Sequence, residues 1–343
     1  MYKSVISILV LMSFASCAMD HEIVSKEQER KIITLTSVTK ATESETTTSS
    51  FYSGEDVWLW AETSKNAEYI KAWKLSSDSY GNLTSSDEKY WPSDGSPLTF
   101  YALHGNFGNT AITTSWADLS LTHTVETDQS TEASKLKSDL LYAKTDPVAA
   151  NTTPAKLTFG HLLAKITVKL DLKNSQGITA EELAKATVTL TNILPEAQIS
   201  NASLSENSGQ SGSAGGDRKT ITAGEPATVS DGGEIGSAIV PLQSFGNNDN
   251  SNIIQITLSD RRIFSYTPPA TNLEKSMEYT YTLKIINGVL SVSSITVTNF
   301  TDNSVFKSWD IYLGELSVSD ITVNGLEQTT ADKSWDHYVE SSE

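Results

Sequence analysis

The sequence predicts an all-β protein: two β-sandwich domains in tandem, followed by a C-terminal strand extension. Three observations carry this. Short segments rich in Val, Ile, Thr and aromatic residues recur along the chain between clusters of Gly, Pro, Asn and Ser, the spacing of strands in a sandwich. Apolar residues at helical spacing are not sustained over any long window, which excludes a helical bundle or an alternating α/β fold. Near the end, one strand-like segment occurs twice.

The chain opens on Met-Tyr-Lys3, an apolar run from Val5 to Phe14, and Ala15-Ser16-Cys17. A charged start, an apolar centre and small residues at the end read as an export signal over residues 1–16. The run falls short of the ~20 apolar residues a membrane-spanning helix needs. Cys17, the only cysteine, stands where a lipobox places the acylated residue, so it is the expected lipidation site and an intrachain disulfide is ruled out. Residues 17–31 carry Asp20, Glu22, Lys26, Glu27, Glu29, Arg30 and Lys31 and read as a lipidated tether. The net charge of −17 argues against nucleic acid as a partner, because a phosphate backbone is bound by clustered Lys and Arg. It suits a solvated extracellular surface.

The first sandwich is expected over residues 32–150. Its opening strand, Ile32 to Val38, is β-branched and alternating, with Ile33, Leu35 and Val38 as its anchors, and a polar Thr/Ser/Glu tract cuts it off. Further strands are expected at Asp56 to Ala61, Ile70 to Leu75, Leu98 to Leu103 and Leu140 to Ala143. A stretch rich in Pro, Ala and Thr, Asp146 to Pro154, marks the join to a second sandwich over residues 151–300. There the strands fall at Leu157 to Leu172, Thr187 to Leu194, Ile235 to Pro241, Ile253 to Leu258, Tyr279 to Ile286 and Leu290 to Val297. One short helix, Ala180 to Ala186, is signalled by the T-x-x-E spacing of Thr179 and Glu182, a capping box. Residues 205–219 and 246–252 are too polar and Gly-rich to pack and read as exposed loops.

Residues 301–343 form the appendage. Residues 290–312 laid over 316–338 match at an offset of 26, with twelve of 23 positions identical. Leu-Ser-Val-Ser-Ser-Ile-Thr-Val faces Leu-Ser-Val-Ser-Asp-Ile-Thr-Val, and both copies run on to Lys-Ser-Trp-Asp. In each copy the first two apolar residues have one parity and the last two the other, so a bulge between the pairs is required to bring all four to one face. Two readings stand. The second copy is a duplicated hairpin that extends the second sandwich, or it is a donor strand, anchored by Leu316, Val318, Ile321 and Val323, that fills a groove in a neighbouring subunit.

Catalytic and metal chemistry are not expected. His21, His104, His123, His161 and His337 are scattered without H-E-x-x-H spacing and there is no cysteine cluster. His161, beside Phe159 in a strand, reads as structural. The adjacent carboxylates Glu181 and Glu182, and Asp87 and Glu88, point apart on a helix or loop. Asn247, Asp249 and Asn250 lack the ligand spacing of a calcium loop. Trp58, Trp60, Trp73, Trp91 and Trp116 crowd the first domain and suit sugar faces, yet Trp58 and Trp60 share one face of a strand and read as core. No cofactor is expected.

Leu157-Thr-Phe159-Gly-His161-Leu-Leu-Ala164-Lys165-Ile166-Thr-Val168-Lys-Leu170, with Asp139 to Ala143 before it and Tyr279 to Leu283 after, resembles the fimbrillin-like family of Gram-negative surface pilins. The resemblance implies two transthyretin-like sandwiches, export as an outer-membrane lipoprotein, and a structural role in a fimbrium that supports adhesion. It implies assembly by donor-strand exchange with other fimbrial subunits, copies of itself or related pilins, after a trypsin-like protease removes the first strand. Lys40, which follows that strand, is the preferred cut; Arg30, which precedes it, is the other candidate, with Lys31 beside it. The family's usual closing Trp is replaced here by Phe300. The alternative is a fimbrial tip adhesin, or a monomeric surface lipoprotein that binds glycans, facing a host or bacterial surface ligand.

Overall fold

The computed structural model describes residues 31–39, 54–78, 80–108, 111–150, 153–205, 213–225, 229–247, 251–300 and 302–306. The first half runs β1 (Leu35–Thr39), β2 (Asp56–Glu62), β3 (Ile70–Ser77), β4 (Asn82–Thr84), β5 (Thr99–His104), β6 (Ser120–Thr124), α1 (Glu132–Ser138), β7 (Leu141–Lys144) and β8 (Ala155–His161). Then come β9 (Ala164–Leu170), α2 (Ala180–Leu183), β10 (Thr187–Ile193), β11 (Glu196–Ser200), α3 (Asn201–Ser205), β12 (Ser213–Gly215), β13 (Lys219–Gly224) and β14 (Glu234–Val240). The chain continues through β15 (Ser244–Phe245), β16 (Ile254–Thr257), β17 (Ile263–Tyr266), β18 (Thr271–Asn272), β19 (Met277–Ile286), β20 (Val289–Asn299) and β21 (Asp302–Phe306). The protein is all-β, as its sequence predicts.

Seven strands close a barrel in the order β1-β4-β3-β2-β5-β7-β8. Alternation fills it: Val57, Leu59 and Ala61 of β2, Phe100 and Ala102 of β5, and Leu157 and Phe159 of β8 meet inside. The opposite faces of β2 and β5 are buried too. Trp60, Tyr101 and Leu103 join a second core, shared with the sheets β13-β10-β16-β17 and β14-β9-β19-β20-β21. Burial on both faces explains why β2 and β5 read as near-continuous apolar runs. The two parts are stitched further by β6, which pairs with β11 from Ser120 to Thr124.

One expectation needs correction. Leu157 to Leu172 is not one strand but β8 and β9, which turn a corner at Leu162 and Leu163 and enter different sheets. The apolar positions are odd in β8 (Leu157, Phe159) and even in β9 (Ile166, Val168, Leu170), and the apolar run Leu162-Leu163-Ala164 between them masks that change of parity. As a result the join placed at 150/151 falls between β7 and β8, neighbours in one barrel. The Pro/Ala/Thr stretch before it is tied down where Val148 and Leu98 exchange backbone hydrogen bonds of 2.8 and 2.9 Å.

The first repeat copy lies in β20, which pairs antiparallel with β19 from Val289 to Asn299. The register shifts between Thr282 and Leu283, where Ser293 is the extra residue on β20. This is the bulge the sequence demands, and Leu290, Val292, Ile295 and Val297 all pack on the second core. The capping box also forms: Thr179 N–H donates to Glu182 Oε2 at 2.7 Å and Glu182 N–H to Thr179 Oγ1 at 3.2 Å, opening α2.

Candidate functional site

The site is the seat of β1. Ile33, Leu35 and Ser37 point inward and are buried, while Ile32, just before them, is 45% exposed. β1 runs parallel to β8, with Leu35 opposite Ala155 and Thr39 opposite Phe159. On its other side it is antiparallel to β4, with Leu35 opposite Leu83 and Thr36 opposite Asn82. It therefore separates β4 from β8 and closes the barrel.

Its backbone is held from end to end. Trp91 N–H donates to the Lys31 carbonyl at 2.9 Å, Ile33 N–H to Lys89 at 2.8 Å, Ala155 N–H to Thr34 at 2.8 Å, and Ser37 N–H to Gly81 at 2.7 Å. Ser37 Oγ also donates to the Gly81 carbonyl, at 3.0 Å. Burying Ile33 and Leu35 stabilises the seat by roughly 1.5–3 kcal/mol each. The hydrogen bonds contribute about 0.5–1.5 kcal/mol net apiece. Without β1, Leu83 on one side and Ala155, Leu157 and Phe159 on the other would border an unpaired slot.

The inward positions of the segment alternate through Ile33, Leu35 and Ser37, and the side chain of Val38 lies outside those described. Neither the parallel pairing with β8 nor the contribution of residues 81–91 was visible in the sequence, since both depend on contacts distant along the chain. Lys40, Arg30, Cys17 and the strand anchors Leu316, Val318, Ile321 and Val323 lie outside the described residues. Lys31 is exposed and immediately precedes the seated segment.

The described histidines are held as structural groups. His123 Nδ1 accepts from Asn106 N–H at 2.8 Å while Nε2 lies 2.9 Å from the Ser138 carbonyl. Burial pushes its pKa down to about 4, so the ring is neutral and Nε2–H donates. His161 Nδ1 lies 2.7 Å from Asp139 Oδ2, both side chains buried, under the Phe300 ring at 3.8 Å between centroids. Glu182 is committed to its helix cap and to Arg262, and Asp87 to Lys89 at 2.7 Å. Among the described residues no group of three or more His, Cys, Asp or Glu could hold a metal ion.

The described tryptophans are framework. Trp116 stacks between Tyr101, at 4.4 Å, and Tyr142, at 6.0 Å, and Trp60 Nε1–H donates to the Thr114 carbonyl at 2.9 Å. Trp73 and Trp91 belong to the barrel interior. Trp58 shares the outward face of Trp60 and is half-buried against the second core. Among the described residues no helix is long and apolar enough to cross a membrane.

The family model described as fimbrillin-like matches residues 39–299. A candidate cell adhesion protein of Bacteroides uniformis, 18% identical, superposes with a TM-score of 0.56 over 80% of this chain and 99% of its own. One from Bacteroides ovatus, 17% identical, gives 0.58 over 79% and 96%. At these identities the two share the fold. No functionally curated protein sequence matches the chain.

Proposed function

The chain belongs to the fimbrillin-like family, and from that premise we propose that it is a structural subunit of a surface fimbria, joined to its neighbours when β1 is cut away and a neighbour's strand takes its seat. As a member of that family it is a fimbrial or adhesin-like protein of the cell surface, and we assign it no catalysis. The observation that carries the finer reading is the place of β1: a short strand, the first among the described residues, held on both edges, whose removal would open a slot through the barrel wall. Lys40 follows its last residue directly, so a cut there frees the segment, whereas a cut at Arg30 leaves it seated.

The incoming strand would be the repeat copy anchored by Leu316, Val318, Ile321 and Val323, and the precursor would reach the outer membrane through acylated Cys17 before joining other subunits. Low-dose trypsin on the unlipidated precursor tests this. A new N-terminus at Ala41, with a ladder of multimers on a non-boiled denaturing gel, is the expected result. A monomer that stays intact, or one cut at Arg30 without multimers, overturns it in favour of a terminal adhesin or a glycan-binding lipoprotein.

A further inference from the structure

β20 carries the first repeat copy and is eleven residues long. One side pairs with β19 throughout, but on the other, among the described residues, only Thr298 and Asn299 are paired, with β21. Folded proteins seldom leave so long an edge open. Close beside it runs β17, the outer strand of the facing sheet, which pairs only with β16 among the described residues. The seam between these two edge strands is apolar and incompletely covered. Val292, Ile295 and Val297 of β20 and Tyr266 of β17 are half-buried against the core, while Ile263 is 59% and Val289 63% exposed.

We propose that the second repeat copy, Leu316–Val323 of the same chain, docks as an added strand along this edge of β20, parallel to it and in register at the offset of 26. The bulge argues for this occupant. Because Ser293 interrupts the two-residue period of β20, an ordinary alternating strand beside it would turn its apolar residues to the wrong face halfway along. The second copy carries the same interruption: Leu316 and Val318 precede Ser319, and Ile321 and Val323 follow. Asp320, the one change within the eight residues, replaces Ser294, whose parity is opposite to that of Ile295.

The chain can reach. From Thr298, beside the end of β21, back to Leu290 is about 27 Å at ~3.3 Å per residue. Residues 307–315 can span about 30 Å when extended. A parallel return needs a connection of a dozen residues or more, and eighteen separate Val297 from Leu316. The docked state concerns the uncut monomer and does not depend on whether the segment later serves a neighbour.

Amide hydrogen exchange on the whole chain carrying Cys17→Ser, at dilute concentration, tests the proposal. Amides from Ser291 to Val297 are expected to exchange at least tenfold more slowly than in a chain ended after Gly314 or in the full-length Ile321→Asp variant, with β19 amides unchanged as the control for folding. Equal rates in all three proteins overturn it. Protection that appears only as concentration rises also overturns it, in favour of a second copy at the edge. A Thr296→Cys/Thr322→Cys pair should oxidise within one chain, and a purely interchain disulfide would contradict the register. Multimer formation after trypsin is read separately, so either reading can fail alone.

Discussion

Ser37 follows Leu35 at the next inward position of β1 and gives its hydroxyl proton to the Gly81 carbonyl at 3.0 Å, beside the apolar side chains that fill the barrel. The strand that closes the barrel is anchored by Ile33 just before it, by Leu35 at its start and by a hydrogen bond at Ser37 in its middle. The hold is thus graded along the segment, apolar at Ile33 and Leu35 and polar at Ser37.

Truncating the anchors should expose this gradient. Leu35→Ala is expected to cost about 2–5 kcal/mol, as for other buried leucines. Ser37→Ala should cost only about 1 kcal/mol, because the Gly81 carbonyl still accepts from Ser37 N–H at 2.7 Å. Urea midpoints of the two variants check the order.

Acid should weaken the fold through His123. Its folded pKa, about 4, lies below the ordinary 6.5, so the unfolded chain binds the extra proton between those values. The stabilisation is complete above pH 6.5 and is lost as pH falls towards 4, by about 3 kcal/mol in all. Denaturation midpoints at pH 7 and 4.5 should differ more for the native protein than for His123→Gln.

Trp116→Ala should destabilise by about 3–5 kcal/mol, since it empties the space between Tyr101 and Tyr142 where the barrel meets the second core. Thermal unfolding of the variant checks this. A ring serving mainly to hold a sugar could be removed with little loss of stability.

The bulge should be needed for its geometry more than for its side chain. Ser293→Ala removes only the hydrogen bond from Ser293 Oγ to Asp171 Oδ2, at 2.9 Å, a loss of about 1 kcal/mol. Deleting Ser293 would turn either the Leu290/Val292 pair or the Ile295/Val297 pair away from the core and should lower the unfolding midpoint far more.

What the sequence disclosed follows from how local each signal is. The bulge at Ser293 was legible because parity within eight residues requires it. The capping box of α2 was legible because Thr179 and Glu182 satisfy each other. α1 escaped, although Thr131 and Ser134 form a box of the same kind, because Ser at the third position is a weak sign and no apolar stripe follows. The corner between β8 and β9 escaped because the apolar run Leu162-Leu163-Ala164 covers the switch from odd to even apolar positions that marks it. At the site, Ile33 and Leu35 were readable from alternation. Their partners Leu83, Ala155 and the 81–91 segment were not, because nothing in one strand names the edges it will join.

If β1 leaves its seat before subunits join, a reversible lock on β1 blocks assembly. The Ser37–Gly81 hydrogen bond makes Thr36 and Asn82 a non-hydrogen-bonded antiparallel pair, the kind whose side chains approach most closely. In a Cys17→Ser background, Thr36→Cys with Asn82→Cys should form a disulfide that ties β1 to β4. After trypsin, the oxidised protein is expected to remain monomeric and the reduced protein to give the ladder of multimers. Equal ladders in both states would contradict the account, because subunits would then be joining with β1 still in place.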